Sequence, residues 1–229
     1  MNAKRTLTIG LALTAFLIGG SAASRSAGFS ARVDNPWYPL EPGSTYVYQG
    51  VKDGEPSREV MTVTRRTKVI DGAPCAVIRD LLYLRGRLEE RTTDWYSQDA
   101  KGNVWYFGEK TAELDKTGKV ISTAGSWTSG VGGARAGIFM FAHPTPGRWA
   151  RQEYYKGQAE DHFKVLSTQV SVTVPYISTT HAMLTKEWTP LEPGVIDHKY
   201  YVRGIGTVLE QTAKGPLERN ELVSFRRGS

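Results

Sequence analysis

Three of the four histidines, His162, His181 and His198, each fall inside a short run of extended character. Neutral imidazole is a good ligand for zinc or copper, so three of them with a carboxylate are the obvious candidates for a metal centre. Side chains on a strand alternate faces, which places Glu160 with His162, His181 with Glu187, and Ile196 with His198. Asp197 points away from His198. The spacing matches no metal signature, so the expectation is that there is no cofactor, with Zn or Cu as the alternative. A second possibility is acid–base chemistry. Glu153 and Glu160 lie on what read as consecutive strands joined at Gly157, and two carboxylates across a cleft can cleave a glycosidic bond. Glu153, Glu160 and His198 are therefore the candidate catalytic residues. Arg151 two residues from Glu153 favours a plainer role in cross-strand charge pairing, and Glu89, Glu90, Asp94 and Asp161 read the same way.

The third feature is aromatic. There are 6 Trp, 11 Tyr and 7 Phe, several of them adjacent: Trp95-Tyr96, Trp105-Tyr106-Phe107, Tyr154-Tyr155 and Tyr200-Tyr201. Neighbours on a strand face opposite sides, so each pair sends one ring inward and one outward. Rings turned inward either pack the interior or line a pocket, since ligand pockets are mostly apolar with a few placed polar groups. Trp95, Trp105, Trp127, Tyr155 and Tyr200 are the candidate ligand-binding residues. No P-loop, paired-cysteine zinc site, His-Glu-x-x-His helix or nucleophile elbow is present, so a binding role is expected ahead of an enzymatic one.

The elements that must position these residues are strands. Short β-branched and aromatic runs recur at intervals of roughly 8–12 residues, split by Gly, Asp and Pro, as in a sandwich or barrel. Candidate strands cover 45–49, 59–64, 75–84, 88–96 and 103–107, with Asp53-Gly54, Asp71-Gly72 and Arg85-Gly86 as turns. A Gly-rich stretch from Ser122 to Gly147, too apolar to be a free linker, reads as an ordered crossover that caps one end of the sheet. The meander resumes at 148–155, 160–168, 170–174, 180–188, 196–202, 206–211 and 217–225. No 3.6-residue period persists. The expectation is one all-β domain, an antiparallel meander curled into a barrel or half-barrel, because open sheets seldom exceed about ten strands.

The start of the chain reads as a signal peptide, 1–23: Lys4-Arg5, an apolar run from Leu7 to Ile18, and Ser21-Ala22-Ala23 before cleavage, with Ala27 as the alternative site. A flexible segment is expected over 24–36 and the β domain over 37–229. The formal charge of +6 falls to +4 when Lys4 and Arg5 leave, and the positives are scattered, which argues against nucleic acid as a partner. No later run is long and apolar enough for a transmembrane anchor. Cys75, the single cysteine, sits in an apolar run and reads as a buried hydrophobe. A secreted monomer, extracellular or periplasmic, is expected.

Several segments carry a resemblance: Asn35-Pro36-Trp37-Tyr38-Pro39-Leu40-Glu41-Pro42-Gly43, Asp94-Trp95-Tyr96-Ser97-Gln98-Asp99, and Gly102 through Glu109. Arg151 through Tyr155, Ala159-Glu160-Asp161, Trp188 through Pro193, and His198-Lys199-Tyr200-Tyr201 with Gly204-Ile205-Gly206 add to it. On these the chain resembles a family of uncharacterised secreted bacterial all-β proteins. Its C-terminal part is also similar to exported β-barrel proteins of the lipoprotein-carrier type. The resemblance implies a fold and no catalytic residues. Together these readings point to an exported non-catalytic protein that holds an apolar or amphipathic small molecule, lipid or glycan in an aromatic-lined concavity. A secreted enzyme or an extracellular interaction module are the alternatives.

Overall fold

The computed structural model describes residues 28–228; the expected leader lies outside them. The described residues form sixteen strands and no helix: β1 (Phe29–Ser30), β2 (Thr45–Lys52), β3 (Glu55–Ile70), β4 (Ala73–Leu84), β5 (Arg87–Asp99), β6 (Val104–Leu114), β7 (Val120–Ser122) and β8 (Trp127–Thr128). There follow β9 (Arg135–Met140), β10 (Trp149–Arg151), β11 (Glu153–Tyr154), β12 (His162–Val174), β13 (Ile177–Trp188), β14 (Ile196–Val202), β15 (Gly206–Lys214) and β16 (Arg219–Arg226). All strand pairs are antiparallel, in the order β10-β12-β13-β14-β15-β16-β2-β3-β4-β5-β6-β9-β11. The last long strand, β16, pairs with the first, β2, over Arg226↔Thr45 to Arg219↔Val51, which joins the two halves of the meander. The expected barrel is what forms.

Closure depends on one stretch of chain. The two ends of the sheet, β10 and β11, are separated in sequence only by Gln152. Residues 149–151 pair with β12 and residues 153–154 pair with β9, so the chain steps from one edge of the sheet to the other. The candidate strand 148–155 is therefore two strands, broken where the barrel meets itself. No ladder crosses this seam; it is closed by backbone packing at Gly137. A Cβ there would lie 2.3 Å from the Arg151 carbonyl oxygen and 2.6 Å from the Gln152 carbonyl.

The Gly-rich stretch does link the two halves, but as wall rather than cap. Its short strands β7, β8 and β9 all pair along the free edge of β6. The segment 24–36, expected to be flexible, is packed from residue 28 onward. β1 pairs with β5, and Val33 bridges Leu40. Asn35, 2 % exposed, donates to the Gly102 and Phe141 carbonyls at 2.8 and 3.1 Å and accepts from Trp37 N. Buried Trp37, Tyr38 and Leu40 thereby plug one end of the barrel.

The inner face carries the larger core, including Tyr46, Met61, Val63, Ile78, Tyr201 and Leu222. A smaller core of Ile70, Ala73, Cys75, Trp95 and Phe107 lies on the outer face, where Phe29 from β1 packs 5.2 Å from Phe107. Cys75 is buried there, and burial pushes its thiol up to about 12, which leaves it unreactive. The seam gives a direct test. Gly137→Ala must push the Arg151–Gln152 backbone aside, and urea unfolding should show a loss of about 1–3 kcal/mol. An unchanged midpoint would mean the seam is not held at this contact.

Candidate functional site: an acidic lumen

The alternation that builds the inner core also lines the space beside it with acids. Moving along β3, Met61 is followed on the same face by Glu59; along β4, Ile78 by Asp80; along β5, Tyr96 by Asp94. The apolar layer fills one level of the barrel and a carboxyl layer occupies the next. Two cavities, about 280 and about 300 Å³, lie in and beside this layer. The first is bounded by the N-terminal plug through Tyr38, Pro39 and Leu40. The second reaches the hairpin ends at Lys52, Leu82, Glu90 and Glu218, where Lys52 and Glu218 are half exposed. Glu59, Asp80, Asp94, Glu109, Glu210 and Asn220 line both, so the two adjoin in the barrel lumen.

Each carboxyl is held differently. Asp94 accepts from Tyr106 Oη at 2.7 Å, Glu109 from Thr111 Oγ1 at 3.0 Å, and Glu153 from Trp127 Nε1 at 2.6 Å. Glu187 accepts from Tyr201 Oη at 3.0 Å and Thr185 Oγ1 at 3.1 Å, and Asn220 donates to Glu59. Lys199 bridges Glu187 and Glu210 at 3.1 and 3.3 Å. Burial alone would lower the Lys199 ammonium, but Glu187 and Glu210 hold it well above its usual range.

Removal from water dominates the acids. Burial pushes Asp94 up to about 7 against the opposing Tyr106 bond, and pushes Glu109 up to about 8 with the help of Asp94. Glu210 rises to about 7 despite Lys199. Its side chain, 39 % accessible, lines both cavities. Burial also raises Asp80, next to Glu59, and Glu153, next to Asp161 and Glu109, well above the carboxylate range. Near neutral pH these shifts leave Asp94 and Glu210 at their titration points and favour the protonated forms of Glu109 and Glu153, and a protonated carboxyl both donates and accepts hydrogen bonds.

The sequence candidates distribute as follows. Trp95 lies in the outer core beneath the Lys68 ammonium, 3.7 Å from its ring centre, and Trp105 packs against the same core while donating to Asp99 at 2.9 Å. Trp127 is buried in the inner core, edge-on to Tyr106 and donating to Glu153. Tyr155 packs on the inner core beside Gly132, and Tyr200 is half-buried against it. None of the five lines the lumen. Their neighbours do the facing inward: Tyr96 and Tyr106 line it, and Tyr201 bonds to Glu187. A pair of adjacent rings says that one is inside, not which one.

The histidines do not converge. His162 stacks between Trp188 and Trp149, at 5.4 and 6.1 Å, and accepts from Arg151 Nε; burial and that guanidinium lower its pKa. His198 lies opposite Lys186 and Gln211, on the face away from inward Lys199, and His181 is exposed. Among the described residues no three His, Cys, Asp or Glu are placed to hold a metal ion. The catalytic candidates separate too. Glu153 is in the lumen, Glu160 accepts from Gly157 N at 2.7 Å across its own turn, and His198 is outside. Asp94 and Asp161, expected in cross-strand charge pairing, line the lumen.

Sequence reasoning missed Glu59, Asp80, Glu109 and Glu210, and placed Glu187 only as a companion of His181. The signal was there: on three successive strands, an acid sits two residues from an inward apolar or aromatic residue.

No family model matches the chain, and no curated protein does. Among solved structures it is similar to a candidate exported protein with a YMCC-like fold from Bacteroides fragilis, at 14 % identity over 83 % of this chain and 99 % of that one, TM-score 0.47. A candidate lipoprotein from Parabacteroides distasonis is similar at 9 % identity over 84 % and 99 %, TM-score 0.43. The barrel described above stands on its own strand register.

The raised carboxyls set the sign of the pH dependence. Between their ordinary values near about 4 and their folded values, Asp94, Glu109 and Glu210 carry protons in the barrel that the unfolded chain has lost. Stability therefore falls as pH rises through that window. Thermal unfolding should give a lower Tm at pH 9 than at pH 5, and Glu109→Gln should flatten the slope. A Tm that climbs from pH 5 to pH 9 would contradict the acid layer.

Proposed function

We propose that this is an exported, non-catalytic binding protein that holds one small polar molecule in the lumen of its barrel. The supporting observation is the lumen, two adjoining cavities of about 280 and about 300 Å³ that share five carboxyls and Asn220. Pockets for small ligands span about 300–1,000 Å³, and the combined space suits a compact ligand. Tyr38, Tyr96 and Tyr106 supply ring surfaces against it. Export rests on the leader-like start.

Of the ligand classes the sequence allowed, the lining favours the glycan-like end over lipid. An acyl chain would strip water from carboxyls and phenols and return no hydrogen bonds, which is unfavourable. A hydroxyl-rich molecule replaces those bonds. The histidines and acids expected for an enzyme are dispersed over lumen, turn and outer face, which supports binding over catalysis.

Native mass spectrometry of protein purified from its own host tests the reading. The expected result is one small polar molecule per chain, lost from a Thr92→Phe variant whose ring enters the second cavity. A bound phospholipid, or no bound molecule at all, would overturn it.

A further inference from the structure

Three polar atoms at the lumen have no hydrogen-bond partner. Asp80 Oδ1 and Asn220 Oδ1 are enclosed acceptors, on residues that line both cavities. Gln152 Nε2 is an unpaired donor on a residue only 4 % exposed, and Gln152 lines the first cavity at the seam. Buried polar groups in folded proteins are ordinarily satisfied, so each of these calls for a partner. Two acceptors need donors, and one donor needs an acceptor.

The charge around them is equally one-sided. Lys199 serves Glu187 and Glu210, Lys52 serves Glu218, and Arg219 serves Glu221. Among the described residues Glu59, Asp80, Asp94 and Glu109 have no ion pair with Lys or Arg. Beside them Tyr96 and Tyr106 stack at 4.6 Å, with Tyr38 edge-on to Tyr96 at 5.5 Å. Aromatic faces next to carboxyls are the surroundings in which an organic ammonium is held.

We infer that the molecule held in the lumen is a hydroxylated organic cation of the amino-sugar class, its ammonium among the Asp80, Asp94 and Glu109 carboxyls and its hydroxyls on Asn220 and Gln152. This rests on the binding function proposed above. A linear polyamine has no acceptor for Gln152. A neutral sugar supplies hydroxyls but no cation to draw the proton from these carboxyls and pair with them. A bare metal ion does not fit, because the carboxyls are not gathered as a metal site.

Isothermal titration of the mature chain separates these cases, with three probes: the disaccharide of glucosamine, its fully N-acetylated counterpart, and putrescine. The charged disaccharide should bind at least about tenfold more tightly than either of the others. An Asp80→Asn/Glu109→Gln variant should lose that preference. Both substitutions remove acids that burial already disfavours, so the variant should fold, which circular dichroism checks. Equal or tighter binding of the N-acetylated sugar would overturn the cationic assignment and leave the binding function standing. Putrescine binding as tightly as the amino sugar would overturn the sugar assignment. Binding of none overturns the inference, and native mass spectra then decide the wider reading: another small polar molecule preserves it, an empty barrel ends both.

Discussion

A carboxyl group taken out of water without a counter-charge either finds one or keeps its proton. The barrel places Asp80, Asp94, Glu109 and Glu153 under that constraint together, in a space walled by the sheet and plugged by Tyr38 and Leu40. Lys199 relieves it only for Glu187 and Glu210. The other acids lean on neutral donors: Tyr106 for Asp94, Thr111 for Glu109, Trp127 for Glu153. These bonds tie β5 to β6 and the Gly-rich wall to the seam, so the polar lining is part of the architecture. The favourable burial comes from the apolar layer above it, where Val63, Ile78, Leu222 and Met183 are fully enclosed.

The same constraint explains why closure matters. The close approach at Gly137 and the step through Gln152 bring the two edges of the sheet together beside the acid layer. Gln152 contributes its backbone N–H to the Asp161 carbonyl at 2.7 Å, holding the chain at the seam, while its side-chain Nε2 is buried without a partner beside the first cavity.

Much of the fold was legible in the sequence because turns and alternation are local. Asp53-Gly54, Asp71-Gly72 and Arg85-Gly86 each adopt the left-handed backbone their turns require, and the strands follow from them. What alternation cannot supply is the absolute sense of a face. Trp95 and Tyr96 share a strand, and the register with β4 and β6, set by contacts distant in sequence, sends the tyrosine inward. The same ambiguity let Asp94 read as an outer charge. The Gly-rich stretch was hard for another reason. β8 is two residues long, and it lies so close to Gly108 that a Cβ there would meet the Trp127 carbonyl oxygen at 2.4 Å, a tertiary fit with no local pattern. Gln152 gave no signal at all, since nothing in its neighbours marks it as the point where two sheet edges meet.

The central claim is that burial in this lumen raises its acids out of the ordinary carboxylate range into the neutral one. Carboxyl-carbon NMR of the ligand-free protein, isotopically labelled and titrated from pH 3 to pH 10, addresses it most directly. The account predicts that Asp94 titrates at about 7 and Glu109 at about 8, apart from the surface acids. Titration of both within the ordinary carboxylate range, near about 4, would contradict it.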